Sequence, residues 1–220
     1  MPENKLKAAI WDMDGVIADT APYHYQAWRE TFRKRGFNFS EEAFKRHFGQ
    51  RNDTIIKTVI GDISSKEFEA AAAEKEADYR RRVNGNIKAL PGAIELMKAL
   101  RERGVKMAVA SSAPMENIKL ILDALGISGY FQAIVWGREV TEGKPSPQAF
   151  LLAAKKLGIK PENCVVFEDA IAGVAGAKTA GMKCVAITNT HPRGKLEQAD
   201  LVIESLVKIG LDDLEKLFGN

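Results

Sequence analysis

The sequence predicts an α/β protein: a doubly wound parallel sheet with an all-helical segment inserted after its first strand. Three observations carry this. Short apolar runs without polar alternation recur from residue 105 onward, as strands buried on both faces require. Stretches of helical spacing alternate with those runs, which is the pattern of parallel strands joined by crossover helices. Between the first strand and this alternation, residues 18–86 carry helical spacing only.

The elements follow in order. Lys7 to Trp11 is the first strand. Tyr23 to Arg35 sets Tyr25, Trp28 and Phe32 at three- and four-residue spacing and stops at Gly36, which makes an amphipathic helix. A second helix begins with Ser40 as its cap and ends near Phe48-Gly49. A third runs from Asn52-Asp53 to Ile60-Gly61, and a fourth, rich in alanine and charge, from Ser65 through Arg82. After Leu90-Pro91-Gly92 the alternation starts. Helices are expected over Ala93 to Arg103, Glu116 to Leu125, Pro147 to Leu157, Ile171 to Ala180 and Leu211 to Phe218. Strands are expected over Val105 to Ala110, Ala133 to Trp136, Cys164 to Phe167, Cys184 to Ile187 and Leu201 to Ile203. Residues 1–17 and 87–220 thus form the α/β core domain, and 18–86 a helical cap domain. The joints near Ile17 to Asp19 and Asn84 to Pro91 are the candidate hinges, punctuated by Gly85, Pro91 and Gly92.

Composition narrows the function. A chain of 220 residues, 45% hydrophobic and 28% charged, supports a sizeable core. The net charge of +3 is slight. The densest basic cluster, Arg80-Arg81-Arg82, adjoins Glu74, Glu76 and Asp78 on one helix, so it reads as a solvated mixed-charge face and not a nucleic-acid surface. Met1 to Lys7 lacks the apolar run of a secretory signal, and eighteen consecutive apolar residues occur nowhere. A cytoplasmic monomer without nucleic-acid or membrane partners is expected. Cys164 and Cys184 each open an apolar run and read as reduced core residues; without nearby His they make no zinc site.

The polar residues that matter stand at strand ends, where open parallel sheets bind their ligands. Asp12 and Asp14 follow the first strand, and the two-residue period aims both to one side. Two carboxylates that close need a shared proton or a cation between them, and a hard divalent ion suits oxygen ligands. Gly15 lets the backbone turn sharply or admit a ligand. Ser111-Ser112 ends the second strand, Gly143-Lys144-Pro145 follows the third, and Glu168-Asp169 ends the fourth. Each alone reads as a cap, a loop lysine or a helix start. Together they combine cation-binding carboxylates with anion-binding hydroxyl, ammonium and helix-start amides, a set that fits a magnesium ion and a phosphoryl group.

These residues resemble the haloacid dehalogenase (HAD) superfamily: Asp12-Met13-Asp14-Gly15-Val16-Ile17, Ser111, Gly143-Lys144-Pro145 and Glu168-Asp169 look like its four motifs in order. The helical insertion is similar to its helical cap, on a Rossmann-like core. Within the superfamily the chain is similar to the β-phosphoglucomutase-like phosphatases and mutases, through the stretch Thr20 to Trp28 and through Lys75. The resemblance implies Asp12 as the nucleophile that forms an aspartyl-phosphate. It implies Asp14 as general acid and base, its backbone carbonyl on the metal. Asp169 would be the main downstream Mg2+ ligand, with Glu168 ordering the ion's waters, while Ser111, Ser112 and Lys144 hold phosphoryl oxygens. Chloride chemistry on a haloacid would need neither Asp14 nor a metal cluster.

Cap residues then choose the substrate by closing over the site. A mutase must also hold a second phosphate, for which the family uses a Ser-Lys-Asn run; here Ala113-Pro114-Met115 stands in its place, a poor set of donors. His24, Arg51 and Lys75 are the cap residues that face a distal phosphate or sugar hydroxyls if the family geometry holds, although Lys75 on so charged a helix also reads as solvated, and His24 as a capping or packing residue. Tyr25, Trp28 and Phe32 read as cap core. The expected activity is phosphatase action on small sugar- or polyol-like phosphomonoesters, with β-phosphoglucomutase second. A non-catalytic phospho-aspartate switch is the alternative of another class, opposed by Asp14 and by the inserted cap.

Overall fold

The computed structural model describes residues 5–219; the first four residues of the Met1 to Lys7 segment lie outside them. Six strands form one parallel sheet in the order β3-β2-β1-β4-β5-β6. They are β1 (Ala8–Trp11), β2 (Lys106–Ala110), β3 (Ala133–Val135), β4 (Cys164–Glu168), β5 (Lys183–Ile187) and β6 (Leu201–Ile203). The first strand lies in the middle, paired with β2 through Ile10↔Ala108 and with β4 through Ile10↔Val166.

Side-chain alternation explains why these strands carry no polar alternation. Ala9, Trp11, Val109, Val165 and Phe167 point to one face, where they pack against α5 (Ala93–Glu102), α6 (Met115–Ala124) and α9 (Leu211–Lys216). Ala8, Ile10, Ala108, Val166 and Cys184 point to the other, under α7 (Gln148–Leu157) and α8 (Ile171–Thr179). Trp11 stacks on Phe167 across the β1–β4 pair with ring centroids 4.1 Å apart. Both cysteines are buried and free.

Between β1 and α5 lie four helices and no named strand: α1 (Ala21–Arg33), α2 (Glu41–His47), α3 (Asn52–Ile60) and α4 (Ser65–Val83). Trp28, Phe32, Phe39, Phe44, Phe48, Ile55, Ile56 and Ala71 give them a core of their own, with Tyr25 packed at its side. Ser40 accepts a hydrogen bond from Ala43 N, and Ser64 makes a reciprocal capping box with Glu67, so the helix starts are locally encoded. The two joints touch: Ala18 bridges Ala89, and Leu90 N donates to Ile17 O at 2.8 Å. Helix ends coincide with the expected ones or shift by one or two residues; α1 opens at Ala21, before Pro22, because proline is tolerated in a first turn.

Candidate active site

The sheet's centre delivers the acidic residues. Asp12 N continues the ladder by donating to Phe167 O at 3.0 Å. The chain then turns tightly: Met13 O accepts from Ile17 N at 3.0 Å, and Gly15 takes the left-handed φ of 87° that the turn requires. Glu168, at the end of the neighbouring β4, accepts from Asp169 N and Ala170 N at 2.8 Å each. Lys144 arrives from the loop between β3 and α7 and donates to both Asp12 Oδ1 and Glu168 Oε1, the latter at 2.5 Å. Asp169 accepts a hydrogen bond from Thr190 Oγ1, just beyond β5.

One lysine faces three buried carboxylates. Burial pushes the Asp12 carboxyl up to about 7, with Glu168 and Asp14 adding to the rise and Lys144 pulling against it. Asp169 is also pushed well above its usual range, by burial, Glu168 and Asp12. Lys144 moves up in turn: burial opposes its charge, and Asp12 and Glu168 outweigh burial.

Asp14 faces the cap. Its Oδ1 accepts from Thr20 Oγ1 at 2.5 Å and from His24 Nε2 at 3.1 Å. Lys75 Nζ donates to His24 Nδ1 at 2.9 Å, which fixes the proton of the neutral ring on Nε2. Burial and Lys75 hold His24 below its ordinary value. Burial acts to raise the Asp14 carboxyl, but His24, Thr20 and Lys75 outweigh it and hold the group down. With the imidazole neutral, the pull on Asp14 at neutral pH comes through the hydrogen bonds and the charge of Lys75. Lys75 lies 4.9 Å from the Trp28 ring centroid, and His24 stacks on Tyr79 at 3.9 Å.

The chain of contacts continues past Lys75. Its ammonium pairs with Glu76 Oε1 at 2.9 Å. Glu76 also accepts from Asn52 Nδ2 at 2.8 Å and from Asn117 Nδ2, on the core helix α6, at 2.6 Å. Lys75 is 2% exposed, so this lysine is not on the solvated face; the charge pattern of α4 hides a position that turns inward. The Arg80-Arg81-Arg82 run divides in the same way. Arg81 and Arg82 engage Asp78 on the mixed-charge face, while Arg80 reaches Asn117 Oδ1 at 2.9 Å.

Asp12, Asp14, His24, Lys75, Ser111 and Ser112 line one cavity. It holds about 40 Å³, against the ~300 Å³ or more of a ligand pocket, so the helices sit closed upon it. Ser111 Oγ accepts from Ala113 N at 3.1 Å. Arg51 stands apart from this cavity: Nη1 donates to the carbonyls of Val140 and Thr141 at 3.1 and 3.3 Å, in the loop that leads to Lys144.

A divalent cation suits this donor set by its chemistry. Asp12, Asp169 and the backbone carbonyl of Asp14 offer hard oxygen donors, and burial, with Glu168 close by, raises both carboxyls, a cost that a cation between them would relieve. Gly15 lies so near that a Cβ there would overlap Asp169 Oδ2. Among the described residues no three His, Cys, Asp or Glu side chains already surround one ready-made metal position, because Lys144 bridges Asp12 and Glu168 and Asp14 turns to the cap.

A family model for haloacid dehalogenase-like hydrolases matches residues 6–181. This chain belongs to that family. As a haloacid dehalogenase-like hydrolase it is an enzyme of the phosphoric monoester hydrolase kind, with a phosphoglucomutase as second reading. It is 34% identical over 180 residues to the fructose-1-phosphate phosphatase YqaB of Escherichia coli (strain K12), covering 81% of this chain and 94% of that one. It is 32% identical over 219 residues to the β-phosphoglucomutase of Bacillus subtilis (strain 168), covering 96% and 95%. A crystal structure of β-phosphoglucomutase from Clostridium difficile superposes with a TM-score of 0.90 at 29% identity, over 97% of each chain. The parallel sheet with a helical cap is therefore the fold of this hydrolase family. No helix among the described residues is long and apolar enough to cross a membrane.

Three residues of this hydrolase's site carry no local sequence signal. Thr190 lies in a loop, and Asn52 and Asn117 stand 24 and 41 positions from the Glu76 they bond.

Proposed function

We propose that this chain is a Mg2+-dependent phosphatase of small sugar- or polyol-like phosphomonoesters, working in the cytoplasm as a monomer through an aspartyl-phosphate on Asp12. The observation that carries the reading is the double engagement of Lys144 with Asp12 and Glu168, Asp12 in turn lining one cavity with Asp14, Ser111 and Ser112. In the closed state Lys144 neutralises the position a phosphoryl oxygen takes when substrate enters.

Asp12 Oδ1 attacks phosphorus while the bond to the leaving oxygen breaks, and Asp14 gives that oxygen its proton. For this the Thr20 and His24 contacts to Asp14 give way as the leaving group arrives, since both contacts favour its ionised form. Asp14 then removes a proton from water, whose oxygen displaces Asp12 and releases phosphate. Asp12, Asp169 and the Asp14 carbonyl would hold Mg2+, with Glu168 behind them; the ion supplies charge neutralisation of the transferring group.

The test is phosphate release from a panel of phosphorylated metabolites with and without Mg2+. Many equivalents of phosphate per protein are expected. Release that stops at one equivalent would leave a phospho-aspartate switch instead. Asp12→Asn should abolish phosphoenzyme formation, and Asp14→Asn should slow turnover on the order of a hundredfold.

The mutase stands as second reading because named relatives carry that activity. β-Glucose 1-phosphate with a trace of the 1,6-bisphosphate separates the two: glucose 6-phosphate accumulating faster than free phosphate would make it the first.

A further inference from the structure

The cavity over Asp12 and a larger outer cleft share a wall. Asn52, Glu76, Ser112 and Ala113 line both, and the outer cleft holds about 490 Å³, room for the tail of a small ester. What this wall offers decides which tail fits.

The charges on it are already committed. Glu76 is 5% exposed. Burial acts to raise its carboxyl, but Lys75, His24 and Asn52 outweigh burial and keep it ionised. Lys75, the cation that reaches the cavity, is held by Glu76 and His24. In the outer cleft Arg51 pairs with Asp53 at 3.0 Å, while Arg80 donates to the neutral Asn117 amide and the exposed Arg138 lies 3.9 Å from Glu69. Glu116 adds one more carboxylate to that lining.

A second phosphate on the tail would enter a partly desolvated space lined by more carboxylates than cations. A hydroxyl-bearing tail meets the reverse situation. Glu76 accepts from hydroxyls, Asn52 and Gln50 supply amides, and Trp28 and Phe48 offer rings to C–H faces.

We propose that Glu76 is a specificity-determining residue that makes this a monophosphate site, selecting neutral hydroxyl-bearing tails and rejecting esters with a second phosphate. This rests on the phosphatase reading and deepens it. Glu76 does so in two ways: its own charge repels the distal anion, and it occupies the Lys75 ammonium that would otherwise receive it.

The test takes the best sugar monophosphate from the substrate panel and the bisphosphate of the same sugar, and compares kcat/KM for the full-length enzyme. The wild type should favour the monophosphate by at least about tenfold. Glu76→Gln should shrink that preference by about tenfold, chiefly through the bisphosphate's KM. A wild type that uses the bisphosphate as well as the monophosphate overturns the proposal, as does a folded Glu76→Gln protein with an unchanged ratio. Should the variant not fold, competitive inhibition of the wild type decides: a bisphosphate that binds as tightly as the monophosphate overturns it. A wild type that releases no phosphate from any monoester ends the phosphatase reading itself, a result separable from a preference for bisphosphates.

Discussion

Replacing Asp12 should make the metal-free protein more stable. The Asp12 carboxyl is raised from 3.8 to about 7, first by burial and then by Glu168 and Asp14, even with Lys144 beside it. That is a shift of about three pH units, and at ~1.4 kcal/mol per unit its ionisation at pH 8 costs the fold on the order of 4 kcal/mol. Asparagine keeps the shape and an oxygen for Lys144 but carries no charge to desolvate. Asp12→Asn should therefore gain roughly 2–4 kcal/mol at pH 8, part of the cost being offset by the weaker hold on Lys144. The sign follows from proton counting. Between pH 4 and 7 the folded wild type retains a proton that the unfolded chain has released, so its stability falls as pH rises through that window. The variant lacks this slope. The gap between the two proteins should open above pH 4 and level off above about 7. Thermal melts in chelator at pH 5, 6, 7 and 8 read it, at about 2–4 °C per kcal/mol for a chain of this size. Mg2+ should narrow the gap by stabilising the wild type more. A variant no more stable than wild type at pH 8, or a gap independent of pH, would refute the reasoning.

Three further outcomes are expected. Gly15→Ala should lose ~1–2 kcal/mol from its left-handed backbone in thermal melts, and, by displacing Asp169, raise the Mg2+ needed for half-maximal activity about 10- to 100-fold. Lys75→Met should cost about 3–5 kcal/mol in urea unfolding, because it leaves Glu76 buried without its counter-charge; a lysine on a solvated face would cost under ~0.5 kcal/mol. Burial pushes the Cys164 thiol up to about 12 and Cys184 still higher, so neither should react with a thiol reagent at pH 8 until denaturant is added.

The sheet was legible because its strands bury both faces: Ala9 and Trp11 serve one core, Ala8 and Ile10 the other, and no polar residue interrupts them. The same logic exposed Asp12, Asp14, Ser111 and Glu168, since a polar residue following an apolar run marks a strand end. Residues on helices were harder. Lys75 and Glu76 belong to a helix so charged that its inward positions share the composition of its outward ones, and burial there is set by α1 and α6, which are distant in sequence. Arg51 was legible as a polar loop residue between cap helices, but its partners across in the core, the carbonyls of Val140 and Thr141, have no side-chain signature at all. Thr190 had the same difficulty from the other side, as one polar residue in a polar loop.

The contact between the two joints has a mechanical consequence. With Ala18 bridged to Ala89 and Leu90 tied to Ile17, the outgoing and returning strands of chain cannot swing separately without breaking that pairing. The pairing couples the two joints, so any movement of the helical segment relative to the sheet is expected to carry both together. A pair of backbone contacts far from any substrate would thereby keep His24 in register above Asp14, the residue proposed for the acid–base step.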